Sequence, residues 1–206
     1  LMLGYGILFL VGVRWKIWAI LIAVFLTMST LLYEFGLRDY QKQRIEDFIA
    51  EKPSYHVQQS IIAIGSGGIF GKDKEDATQT QMKFLPIASS DFIFAYVVER
   101  FGFFGALLLI LLYSALIIHL MIIAFWTEDY YIKVVAGGLS LLFFIYMAVN
   151  IAMTIGFAPV VGVPLPMFSY GGSSFINFMV ILAILENLLA YRFRYLYGDT
   201  GKKSFV

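Results

Sequence analysis

The chain contains no cysteine, which excludes disulfides and thiolate metal sites and leaves the redox compartment open. Histidine is nearly as scarce. His56 and His119 are the only two, too few for a Cys- and His-rich metal motif. Charge is also sparse, at 14% of residues, against about 25% in soluble domains. So little charge cannot cover a surface that faces water on all sides. The formal net charge of +1 supplies no basic field for nucleic acid. What is abundant is apolar: 60% of residues are hydrophobic and mean hydropathy is +0.81. These residues come in long blocks, the pattern of an all-α, polytopic integral membrane helical bundle.

Five blocks are long enough to matter. Leu1 to Gly12 is short for a span and has no basic leader, so it reads as the end of a helix begun upstream. A basic link, VRWK, leads to a predicted span over Ile17 to Tyr33. Residues 38–91 then hold 15 of the 29 charged residues and read as a large, partly helical extracytoplasmic loop. Within it, Gln41, Ile45, Phe48 and Ile49 recur at helical spacing, predicting an amphipathic helix on the membrane surface or on the protein. Phe92 to Phe125 would measure about 51 Å as one helix, against a hydrocarbon core of roughly 30 Å. Its first turns, with Glu99 and Arg100, are therefore expected outside the core, and the span near Gly102 to Phe125. Further spans are expected over Val134 to Phe157 and Phe175 to Tyr191, making about five in all. A basic tail, 192–206, follows. Lys and Arg are denser in the short segments on the tail's side, which places the tail in the cytoplasm and the long loop outside.

The stretch VPLPMFSYGGSSF (163–175) interrupts this apolar chain. Pro164 and Pro166 forbid a regular helix. Gly171 and Gly172 permit positive φ, and Ser169, Ser173 and Ser174 offer hydroxyls and caps. Irregular backbone at membrane depth survives only where protein buries it or a cavity hydrates it. Residues 158–174 are thus expected to form a re-entrant or closely packed loop facing the same space as 38–91.

Other polar residues have plain readings beside sharper ones. GSGGIFGKD (65–73) lacks the Walker A spacing; it reads as a glycine turn, or as a backbone cradle for an anion. Asp91 opens a helix, where Asp commonly caps, but a partly desolvated carboxylate there also suits a general base. Lys83 is a candidate partner or phosphate ligand. Lys42 and Arg44, in YQKQR, read as an interfacial lipid-binding face or as a grip on a lipid-linked pyrophosphate. Asn150 and Thr154 share one helix face and read as interhelical glue. His119 reads as a packed interhelical group and Glu186 as a residue near the membrane interface.

Taken together, YQKQRI, YHVQQSIIAIGSGGIFGK, TQTQ, FLP with DFIFAYVVERFGFFG, NIAMTIGF and VVGVPLPMFSYGGSS resemble the C-terminal half of the SEDS family (shape, elongation, division and sporulation proteins), nearest to its RodA branch. The motifs cover residues 38 to 191 in the family's order. The resemblance implies a bundle of about ten helices, half of them represented here. It implies a peptidoglycan glycosyltransferase that polymerises lipid II at the outer face of the bacterial cytoplasmic membrane, serving cell elongation and shape. A class B penicillin-binding protein would be its partner. Asp91 matches the family's catalytic aspartate. Lys42, Arg44, Gln59, Gln81, Lys83, Ser169, Gly171, Gly172 and Ser173 fall in the motifs expected to bind substrate. A divalent cation, Mg or Mn, is a candidate cofactor, with Asp91 as its candidate ligand. The chain departs from the family at IASS (87–90), where Glu-Arg-His-Thr is common.

The mechanism expected is an inverting transfer, with Asp91 as base toward the acceptor sugar's 4-hydroxyl and undecaprenyl pyrophosphate as leaving group. Two other classes stay open: a flippase for lipid-linked precursors, and a noncatalytic scaffold for the partner synthase. Half of a helical bundle is not expected to act alone.

Overall fold

The computed structural model describes residues 15–49, 54–73 and 90–198. The described elements are helical. They are α1 (Trp15–Leu31), which ends in a π-helical turn over Leu32–Gly36, α2 (Asp39–Ile49), α3 (Tyr55–Ser66), α4 (Ile93–Trp126), α5 (Tyr130–Thr154) and α6 (Gly172–Gly198). By length and composition, three are apolar enough to cross a membrane: Ile93–Trp126, Tyr130–Thr154 and Gly172–Ala190. A shorter apolar helix runs Lys16–Met28. The stub before residue 15 lies outside the described residues.

Helices α4 and α5 form the central antiparallel pair. Buried Ala106, Leu109, Tyr113, Ile117, Leu120 and Ala124 line one stripe of α4. Their spacing of three and four keeps them on one face. They meet Ile132, Ala136, Leu139 and Phe143 of α5 in a single core. In lipid there is no hydrophobic drive between helices, so small residues that allow close approach and polar bridges do the joining. Ala106, Ala124 and Ala136 are such small residues, and Ser140 Oγ donates across the interface to the Ile117 carbonyl at 3.0 Å. Helix α6 joins through Phe178, whose ring lies 5.5 Å from Phe143 and 5.3 Å from Tyr146. The outward faces stay apolar, with Leu108, Leu111, Leu112, Ile118 and Ile122 exposed.

Helix ends follow local chemistry. Helix α5 starts four residues earlier than its apolar run, because Asp129 Oδ1 accepts from the Tyr131 and Ile132 amides at 2.9 and 3.2 Å. Helix α6 begins at Gly172, three residues before Phe175, and continues into the basic tail to Gly198.

The long apolar block from 92 to 125, expected as one helix with its first turns outside the membrane core, is kinked. Gly102 sits inside α4 at φ 66, ψ −160, a region open essentially to glycine alone. The turn after α3 folds into that break. Phe103 N donates to the Gly68 carbonyl at 2.9 Å, Phe104 N to Ile69 at 3.4 Å, and Lys72 N to Glu99 at 3.0 Å. Arg100 Nη1 donates to the Lys72 carbonyl at 2.6 Å. The glycine segment 65–72 is therefore a structural clasp. Its Gly71 and Lys72 amides bond to protein carbonyls, which removes them from an anion cradle. Glu99, expected at the interface, is fully buried beside this clasp.

The kink decides where the start of α4 sits. A straight helix would put Tyr113 about 30 Å along the axis from Ile93. Yet the Tyr113 hydroxyl donates to the Pro166 carbonyl, while Ser169, three residues on, donates to Ser90. Bending at Gly102 lets one short loop reach both.

Candidate functional site

The site is built where α3, the start of α4 and the end of α5 meet the 155–171 segment. Helix α3 docks by small residues. Ser60 Oγ donates to the Thr154 carbonyl at 2.8 Å, and Ala63 packs with Phe92 and Ala95. A Cβ at Gly156 would stand 3.3 Å from Val57 Cγ1, so α3 covers the point where α5 ends.

Asp91 sits half-buried at the entrance of α4. The helix cap is Phe92, with no side-chain capping bond. The expectation that Asp91 caps the helix is thus corrected: the helix starts at Ile93, with Phe92 and not Asp91 at the cap position. That carboxylate faces the irregular segment. A Cβ built on Gly162, which has φ +77, would lie 3.3 Å from Asp91 Oδ2.

Three hydrogen-bonded ties hold this arrangement. Ser169 Oγ donates to the Ser90 carbonyl at 2.6 Å and accepts from the Leu165 amide at 2.7 Å. Asn150 Nδ2 donates to the Asp91 carbonyl at 2.9 Å and to the Val163 carbonyl at 2.8 Å. Arg44 Nη1, from α2, donates to the Val160 carbonyl at 2.9 Å. Leu165, Pro166 and Ser169 are buried, so the Pro/Gly/Ser stretch is packed into the bundle.

Of the residues expected to bind substrate, Arg44 and Ser169 join this cluster with Asp91. Lys42 is half-buried on α2, with its ammonium 5.8 Å from the Tyr33 ring. Gln59 is half-buried on α3, next to Ser60. Gly171, Gly172 and Ser173 stand at the start of α6, where Gly172 and Ser173 are exposed. Gln81 and Lys83 lie outside the described residues. Positive φ falls at Gly156, Gly162 and Met167 and not at Gly171 or Gly172; Gly172 instead opens a helix. His119, expected between helices, is exposed on α4, and Glu186 is exposed on α6. The amphipathic helix forms, but Phe48 and Ile49 remain exposed on it.

Asn150 was legible as a polar residue in a span, yet its attachment to Asp91 was not. Thr154, its expected companion, turns its hydroxyl to Ile151 of its own helix at 2.7 Å. Among the described residues, no three His, Asp or Glu side chains gather as metal ligands.

Kinked apolar helices with a polar site at the end of the bundle, closed by a packed Pro/Gly/Ser segment, define a multi-pass membrane protein with a loop-built site. A family model described as cell cycle protein, FtsW/RodA/SpoVE, matches residues 1–193. The chain belongs to that family. It is 60% identical over 206 residues to the peptidoglycan glycosyltransferase MrdB of Helicobacter pylori strain J99, covering all of this chain and 53% of that protein. It is 40% identical over 194 residues to the MrdB of Escherichia coli K12, covering 92% of this chain and 52% of the other. A chain from a solved structure described as structural coordination of polymerization and crosslinking by a peptidoglycan synthase complex matches with TM-score 0.74 at 26% identity. That match covers 94% of this chain and 54% of the other. The chain thus spans about half the length of the curated relatives it matches.

Proposed function

We propose that this chain carries the catalytic carboxylate of a peptidoglycan glycosyltransferase that polymerises lipid II at the outer face of the cytoplasmic membrane, in the service of cell elongation. The observation that carries the reading is the meeting of Asp91 Oδ2 with Gly162, two residues from the carbonyl that anchors Arg44. A carboxylate and a guanidinium held to one short segment suit a reaction that removes a proton and releases a pyrophosphate. The names of the relatives support the same class.

Asp91 takes the proton from the 4-hydroxyl of the acceptor sugar. The oxygen forms a bond to the donor's anomeric carbon from the face opposite the leaving group. The bond from that carbon to the pyrophosphate oxygen breaks, its electron pair leaves with undecaprenyl pyrophosphate, and configuration inverts. Arg44 uses one of its five N–H donors on Val160 and keeps others for phosphate oxygens. Lys42 adds a second positive charge on the same helix. Both offset charge that grows on the leaving group. Among the described residues, Asp91 belongs to no group of three His, Asp or Glu side chains that could hold a metal ion; a divalent cation, Mg or Mn, with Asp91 as a ligand would supply further positive charge to the leaving group. Residues 38–91 face the extracytoplasmic side and the tail is cytoplasmic. A class B penicillin-binding protein is the partner.

The test is polymerisation of lipid II by the full-length protein with that partner. Asp91→Asn is expected to cut polymer formation at least about 100-fold while complex formation and melting stay unchanged. Glycan chains at the normal rate would take Asp91 out of the mechanism. Lipid II that crosses vesicle membranes without being polymerised would indicate a flippase.

A further inference from the structure

Asn150 is fully buried on α5. A carboxamide has two donor hydrogens on one nitrogen. Both have acceptors here, and those acceptors belong to the two segments that make the site: the Asp91 carbonyl at 2.9 Å and the Val163 carbonyl at 2.8 Å. Because both acceptors are carbonyl oxygens, the nitrogen must face them, which fixes the orientation of the amide. Its Oδ1 is buried without a hydrogen-bond partner among the described residues. The side chain's described bonding is therefore confined to those two carbonyls. Ordinary helix glue would bond to a neighbouring span; this side chain joins a helix entrance to a loop. Val163 follows Gly162, whose backbone lies against the Asp91 carboxylate.

We propose that Asn150 is the positioning residue of this site, holding the Asp91 backbone in register with residues 162 and 163 so that the carboxylate keeps its place over the loop. It acts through Asp91 and not on the reacting atoms. The proposal rests on the reading above for the reaction served; the register itself is a property of the fold.

The experiment uses the full-length protein with its partner, in a cysteine-free background. Asn150→Ala is compared with Thr154→Val, a buried site one turn along the same helix whose hydroxyl bonds within α5. Two readouts are taken: kcat and KM with lipid II, and the distance distribution between nitroxides on Ser90→Cys and Val163→Cys. For Asn150→Ala, kcat is expected to fall about 100-fold, the effect of a 1 Å misplacement. KM should stay within about twofold if binding is untouched, and the distance distribution should widen. Thr154→Val should change neither. Should Asn150→Ala fail to fold, Asn150→Leu keeps the side chain's volume without a donor and is expected to give the same two effects. Normal kcat in the Asn150 variants, an unchanged distance distribution, or equal losses in Thr154→Val would overturn the proposal. If the unmodified protein makes no polymer, the glycosyltransferase reading falls, while the distance distribution still decides whether Asn150 sets the register.

Discussion

Replacing Gly102 by alanine should unmake the clasp that aims the start of α4. Gly102 has φ 66, ψ −160; a residue with a Cβ is strained there by about 1–3 kcal/mol. Space is lacking as well. The added Cβ would stand 2.4 Å from Gly71 N and from the Ile69 carbonyl oxygen. Those are backbone atoms, so relief means moving the 67–72 turn. Three backbone hydrogen bonds across the kink, from Phe103, Phe104 and Lys72, would then stretch or break, at about 1 kcal/mol each. The sum is about 4–6 kcal/mol, or a fall in Tm of roughly 8–12 °C at about 2 °C per kcal/mol. The measurement is thermal unfolding of the full-length protein in detergent, with Gly65→Ala as control. Gly65 is exposed in α3, has nothing within 4 Å of a built Cβ, and should gain up to about 1 kcal/mol of helix propensity. Polymerase activity should fall with Gly102→Ala and survive Gly65→Ala. Equal melting of the two variants would refute the claim that the kink is held by the glycine turn.

Three further outcomes are expected. Ser169→Ala leaves the Ser90 carbonyl and the Leu165 amide without their partner, and should cost about 2–4 kcal/mol in the same melting assay. Arg44→Lys keeps the charge but loses the fork that lets one group hold Val160 and a phosphate together; the KM for lipid II should rise several-fold with little change in melting. Gly172→Ala meets nothing within 4 Å, so the fold should be untouched; a loss of polymerisation with normal melting would place substrate against the start of α6.

Much of this fold was legible. Apolar blocks announced the spanning helices, and the excess length of residues 92–125 announced that its first turns stand apart from the span, but not the kink at Gly102. The prolines at 164 and 166 announced an irregular segment. Boundaries moved where a single side chain intervened, as at Asp129, whose cap starts α5 within a polar link. The site was only half legible. Asp91, Arg44 and the serines stood out by type and by resemblance, but the capping role suggested for Asp91 fails because the helix begins after Phe92. The role of Asn150 could not be read, since polar residues in spans have many uses.

The sequence by itself determined that this chain spans a membrane several times and that its backbone must leave the helix around Pro164 and Pro166. Hydropathy, proline and glycine act locally, within the few residues that feel them. Only the tertiary structure decided that Arg44 reaches Val160 across 116 residues, that Ser169 reaches Ser90 across 79, and that Asn150 joins Asp91 to Val163. Each of those contacts ends on a backbone carbonyl. Every residue has one, so no residue type marks it in advance, and the pairing is set by how the bent α4 and the packed loop come together.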